Sequence, residues 1–264
     1  MTTQAVGRFR RPQVGGVLLP LFAFVLILVA WYGAVRLWDV PTSVVPSPEL
    51  AIEVIFGSRA EYLIQQSVWT LWEVWLGFFI AIVIGVLLAL SLAGSRVLDQ
   101  AISPILVAFN AIPKIAIGPM LVMWFGFGIE PKVLVVVLLS FFPIVLSTMA
   151  GLKSVPADLI ELTQSMDASR TKTFLKVRVP WALPQFFTGL KLGISLAFVG
   201  AVVGEFIGGG GDGIGYVIAS SRSQLNTPLA FAGIFLLGLM SVLSYYVIVW
   251  LERLLLPWAR ETSR

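Results

Sequence analysis

The sequence contains neither cysteine nor histidine. Zinc, haem and iron–sulfur centres draw their usual ligands from those residues, so the common ligand sets are missing. Histidine-based triads and cysteine nucleophiles are excluded on the same ground, and so is a disulfide scaffold. Charge is scarce too. Asp, Glu, Lys and Arg make up 12% of the 264 residues, about half the roughly 25% of an ordinary soluble domain. What is plentiful is apolar: 58% before glycine is counted, against roughly 45–50% with glycine included in soluble domains. That balance excludes a disordered chain and a soluble cytosolic enzyme. The class left is all-α, a polytopic helical membrane protein. In so apolar a chain, the net charge of +4 reads as basic loops facing anionic lipid, not as a nucleic-acid surface.

Residues 1–15 read as a polar arm carrying Arg8, Arg10 and Arg11. Residues 16–264 read as one transmembrane domain with six apolar spans. The first, Gly16 to Val35, is about 20 residues long, enough to cross a ~30 Å hydrocarbon core. It exceeds the about 7–15 apolar residues of a signal peptide, and no small-x-small cleavage site follows it. The others run near Ser67–Ala93, Leu98–Phe127, Val133–Gly151, Trp181–Ile207 and Pro228–Trp250. Between the first two, Ser47 and Pro48 predict the capped start of a short helix. Pro104, Pro113 and Pro119 interrupt the third span and predict a helix that bends or unwinds. Glu130, Pro131 and Lys132 read as a short polar turn.

Six spans put both termini on one side. That side holds twelve basic residues: Arg8, Arg10, Arg11, Arg96, Lys153, Arg170, Lys172, Lys176, Arg178, Arg253, Arg260 and Arg264. The other side holds four: Arg36, Arg59, Lys132 and Arg222. The bias places both termini and the loop 152–179 in the cytoplasm.

That loop reads as two short helices. Pro156 suits a first helical position, and Asp158 and Glu161 suit an N-terminal turn. Leu159, Leu162 and Met166 make one apolar face. Asp167 and Ser169 break and recap the chain. The second helix turns Arg170, Lys172 and Lys176 outward and Phe174 and Val177 inward. Pro180 and Pro184 then predict a change of direction. Such a pair either lies on anionic lipid or serves as a rigid docking knob for a cytoplasmic partner.

The run from Glu161 through Asp167 to Pro180 resembles the "EAA" loop of ABC importer permeases. That pattern is Glu-Ala-Ala, three further residues, Gly, and a hydrophobic stretch ending in Leu-Pro. Glu161 fits its Glu and Pro180 its final Pro. Leu162 and Thr163 stand where Ala is usual, Asp167 where Gly is usual and Val179 where Leu is usual. Asp is among the few residues besides Gly that visit the left-handed conformation, so the turn can survive. Ala111-Ile-Pro-Lys-Ile-Ala-Ile-Gly-Pro119, Trp124-Phe-Gly-Phe-Gly128, Gly204-Glu-Phe-Ile-Gly208 and Gly213-Ile-Gly215-Tyr216 resemble the nitrate/sulfonate/taurine branch. That branch also contains permeases for pyrimidine-type vitamin precursors and riboflavin. The resemblance spans about Ser67 to Trp250.

It implies a type I ABC importer in the bacterial inner membrane, with this chain as a permease and not an enzyme. A second permease copy, two ATPase subunits and an external solute-binding protein are the implied partners. Glu161, Ser165, Met166, Asp167, Ala168, Ser169 and Arg170 would contact the ATPase. No G-x-x-x-x-G-K-[ST] motif occurs, so ATP and magnesium belong to the ATPase, and no cofactor is expected in this chain.

An ionisable side chain at mid-bilayer costs at least ~2.5–3.5 kcal/mol on insertion scales. Four therefore stand out. Lys114, after Pro113, either lines the solute pathway or snorkels to the interface, and Lys191 offers the same choice. Glu205 reads as a cap or gate beside the glycine-rich segment 208–215, or as a pathway group. Glu73 reads as interfacial. Trp124, Phe125 and Phe127 read as interfacial aromatics first and pathway walls second. Gly189, Gly193, Ala197, Gly200, Gly204 and Gly208 form a small-residue stripe for close helix contact, inside the chain or at a dimer seam. The glycine segment lacks the Lys and Ser/Thr of a phosphate cradle and reads as a flexible external hairpin meeting the binding protein. A proton-coupled secondary transporter using Glu205 or Glu73 is the rival reading.

Overall fold

The computed structural model describes residues 15–260, which form helices and short connections with no strand among them. The helices are α1 (Gly15–Leu37), α2 (Pro48–Phe56), α3 (Ala60–Gly94), α4 (Arg96–Ala111), α5 (Gly118–Phe125), α6 (Ile129–Lys153), α7 (Ala157–Ser165), α8 (Arg170–Thr173), α9 (Val179–Gly208), α10 (Ile214–Ser223) and α11 (Thr227–Leu255). Arg8, Arg10 and Arg11 of the expected N-terminal arm lie outside the described residues.

Among the described residues, four helices are long and apolar enough to cross a bilayer: α3, α6, the continuous Arg170–Gly208 helix and α11. A fifth crossing is made if α4 and Lys114–Phe125 are taken together across an 83° bend. The apolar helix Val25–Leu37 within α1 is shorter than these. The bend has a local cause. Ile112 is extended (φ −71°, ψ 131°), as a residue before proline is driven to be. Of the three prolines expected to interrupt this span, only Pro113 does so. Pro104 is carried inside α4, and Pro119 sits in the first turn of α5, where its missing N–H costs nothing.

The core sits where α3, α6 and α9 meet. Phe78 and Ala81, Val136 and Ile144, and Ile194, Ala197 and Ala201 are buried there together, with Ile214 of α10 and Ala232 of α11. A second cluster joins Ala89, Leu106, Val145 and Met149 of α3, α4 and α6. Leu26, Ile27 and Val29 on α1 and Val242, Leu243 and Tyr246 on α11 face outward. An apolar outer surface of this kind suits lipid and not water.

Three local expectations give way. Glu130, Pro131 and Lys132 are not a turn but the first turn of α6. Pro180 and Pro184 do not redirect the chain: α8, a wider π turn at Phe174–Arg178 and α9 form one helix of 39 residues. Pro180 falls in the first turn of the α-helical part, with Pro184 inside it. Finally, α2 starts at Pro48 behind Ser47 as expected, yet the Ser47 side chain makes no capping hydrogen bond.

Candidate functional site

Two places gather chemistry. The first is the loop between α6 and α9. Helix α7 ends in a tight turn in which the Met166 N–H donates to the Leu162 carbonyl, Asp167 N–H to Gln164 and Ala168 N–H to Thr163, at 3.2, 2.9 and 3.0 Å. Asp167 holds the left-handed conformation, φ 53°. Ser169 then caps α8 by accepting from the Lys172 N–H at 3.4 Å. The Thr173 hydroxyl reaches that of Thr163 at 3.3 Å and ties the two helices together. The result is a compact knob. Glu161, Ser165, Met166, Asp167, Ser169 and Arg170 are exposed on it, Met166 at 74%, and Ala168 is half-buried. Between the knob and the end of α3 lies a cleft of about 410 Å³, with Gln164, Arg170, Phe174 and Arg178 on its wall.

The turn yields a first test. A glycine at position 167 keeps the left-handed backbone, whereas a valine there costs about 1–2 kcal/mol. Limited proteolysis of the reconstituted transporter is expected to cut between α7 and α8 faster in Asp167→Val than in wild type, and no faster in Asp167→Gly.

The second place is a buried polar centre where α3, α6, α9 and α10 converge. Lys132 donates to Glu73 Oε1 at 3.0 Å, and the two side chains are 3% and 1% exposed. Lys132 also donates to the Asp212 carbonyl at 3.0 Å. Glu205, 1% exposed, accepts from the Thr70 hydroxyl at 2.6 Å and from the Gly215 N–H. Thr70 Oγ1 accepts from the Ile214 N–H at 2.8 Å, and Gln66 Oε1 accepts from the Gly213 N–H. The first amides of α10, which have no partner within their own helix, are thus met by side chains of α3 and α9. A Cβ at Gly213 or Gly215 would run into the Glu205 carboxyl. Glycine at both positions is what lets the backbone come this close.

The other singled-out residues sit apart. Lys114 turns back on Asn110, donating to its carbonyl at 3.1 Å and its side-chain oxygen at 2.9 Å, and lies over the Phe142 ring. Lys191 pairs with Glu252 of α11 at 2.9 Å. Trp124 is 62% exposed, and Phe125 and Phe127 are exposed as well. Gly189, Gly193, Ala197, Gly200, Gly204 and Gly208 are all buried. The glycines of this stripe face α6 of the same chain, over Pro143, Ile144, Val136 and Lys132 in turn.

Two expectations change. Glu73, read as interfacial, is buried in the bundle and ion-paired with Lys132. The glycine segment is not a free hairpin, because Asp212, Gly213 and Gly215 are fastened to Lys132, Gln66 and Glu205. Sequence reasoning missed Gln66 and Thr70 altogether and took Lys132 only as part of a polar turn. A signal was present: Gln66, Thr70 and Glu73 recur at i, i+4 and i+7, a polar stripe on an otherwise apolar helix.

Residues 81–261 match the family described as the binding-protein-dependent transport system inner membrane component. The chain belongs to that family. The permease is 37% identical to the formylaminopyrimidine transport permease protein ThiX of Halalkalibacterium halodurans, over 92% of this chain and 96% of that one. It is 37% identical to the riboflavin transport system permease protein RibX of Chloroflexus aurantiacus, over 97% and 94%. It is 28% identical to the taurine transport system permease protein TauC of Escherichia coli, over 97% and 95%. Among solved structures, it resembles an inward-facing MetNI methionine ABC transporter with a TM-score of 0.65 at 20% identity, covering 75% of this chain and 98% of that one. The permease is therefore an inner-membrane component of an ABC importer for small solutes, and not an enzyme. ATP hydrolysis falls to a separate subunit.

Proposed function

We propose that this permease crosses the membrane six times with both termini in the cytoplasm, and that two copies together form the translocation pathway. An external solute-binding protein delivers a small solute, and two ATPases drive the cycle by gripping the knob at Glu161–Arg170. The observation that carries the coupling is the shape of that knob: a capped helix–turn–helix with its polar tip exposed, joined without a break to the 39-residue helix. A rigid connection of this kind transmits a push that a floppy linker would absorb.

The solute is a vitamin-precursor heterocycle in preference to a taurine- or nitrate-like anion. Supporting this, the formylaminopyrimidine and riboflavin relatives share 37% identity with the chain, against 28% for the taurine relative. Lys114 and Trp124, beside the 83° bend, line the route. Lys191, engaged by Glu252, and Glu205, sealed inside the bundle, hold helices together.

Copurification of the tagged permease with its ATPase tests the coupling. Wild type is expected to retain the ATPase and Glu161→Arg to lose it. Retention by both would remove Glu161 from the docking contact. A wild-type permease that captured no ATPase would sink the proposal.

A further inference from the structure

The buried centre holds more negative than positive charge. Glu73 of α3 and Glu205 of α9 are each 1% exposed, and among the described residues Lys132 is the one cation hydrogen-bonded to the cluster. If both carboxyls were ionised, the site would carry a net negative charge in the buried interior, where an unbalanced charge is expensive.

The hydrogen bonding shows where the balance lies. Glu205 Oε1 accepts from Thr70, which lies three residues before Glu73 on α3, so both carboxyls enter one buried centre. Two carboxylates have only acceptors to offer, so neither can satisfy the other unless one carries a hydrogen. Glu73 Oε1 is satisfied by Lys132, but Glu73 Oε2 is buried with no donor. A buried acceptor left bare costs free energy, and the neighbouring carboxyl is the group that can fill it. Around the pair, the charged groups that act on it are Lys132 from α6 and Asp212 from the glycine loop. From α10 come backbone amides only.

We propose that the site binds one proton, carried by Glu205 and donated to Glu73 Oε2, so that the centre is the neutral set of a carboxylic acid, a carboxylate and an ammonium. The proton has a structural consequence. It allows Glu205 to sit beside Glu73 while still accepting the Gly215 N–H and the Thr70 hydroxyl, and so it holds the start of α10 on α3 and α9. It remains bound through the transport cycle and is not itself transported. The assignment does not depend on which solute is carried or on how the ATPase docks.

The test uses the purified permease–ATPase complex. Glutamine at position 205 supplies a permanent hydrogen where the acid carries its own. Glu205→Gln is expected to assemble and to melt within about 2 °C of wild type. Glu73→Gln, which strips Lys132 of its counter-charge, is expected to melt roughly 10 °C lower. Infrared difference spectra, wild type minus Glu205→Gln, near neutral pH are expected to contain a protonated-carboxyl C=O band that shifts in D₂O. Failure of Glu205→Gln to assemble, or a melting loss as large as that of Glu73→Gln, would overturn the proposal. So would a difference spectrum without the acid band. A proton flux accompanying solute uptake in sealed vesicles would overturn the claim that the proton stays.

Discussion

Lys132→Met is expected to destabilise the permease by about 3–5 kcal/mol, the cost of breaking a buried ion pair from one side. Methionine fills much of the lysine's volume, so the loss is electrostatic and not a cavity. Glu73 is left without its cation, and the Asp212 carbonyl loses the donor that fastens the glycine loop. The measurement is the melting temperature and yield of the detergent-purified complex. A double variant, Lys132→Met with Glu73→Gln, removes both charges and is expected to recover most of the loss. A single variant that melts with wild type would mean that the pair is not buried as described.

Gly200→Val is the second large effect. A Cβ at this position would lie 2.8 Å from the Val136 Cα and 3.1 Å from the Val135 carbonyl oxygen. Backbone cannot step aside as a side-chain tip can, so α6 and α9 must part, and the core at Ile144, Ile194 and Ala197 opens with them. Overpacking on this scale costs about 3 kcal/mol. Gly238→Val in α11 is the control, because a Cβ there meets nothing within 4 Å. The expected result is a sharp fall in folded permease for position 200 and little change for position 238. Equal yields would refute the close helix contact.

The features legible in the sequence were those written in neighbouring residues. The knob could be read because its turn and cap are made by residues close together in the chain, Asp167 and Ser169 among them, and the apolar runs could be read because lipid-facing and core-facing residues are both apolar. What escaped depended on partners far along the chain. Glu130-Pro131-Lys132 looks like a turn to any local rule. Only the presence of Glu73, 59 residues earlier, makes it worthwhile to bury that lysine in a helix. The glycine stripe was visible by its spacing, but spacing does not say which helix it meets, and that helix proved to be α6. Pro180 and Pro184 misled for another reason. Pro180 follows directly on a widened turn, where its missing N–H is tolerated, and Pro184 is carried inside the helix as Pro104 is in α4.

That widened turn, Phe174–Arg178, has a consequence for the whole lever. An α-helix turns about 100° and advances about 1.5 Å with each residue, and a π turn takes in one residue more than an α turn. The extra residue sets the rotational phase between the head of the rod at Arg170 and its shank along Gly189–Gly208. Tightening this turn to a plain α turn with no residue lost would leave the shank seated on α6 but swing the head through about a quarter of a circle, like a key whose bit is cut at the wrong angle, whereas deleting the extra residue would keep the phase. The widened turn between Thr173 and Val179 thus fixes the direction in which the cytoplasmic tip presents itself, independently of the side chains on that tip.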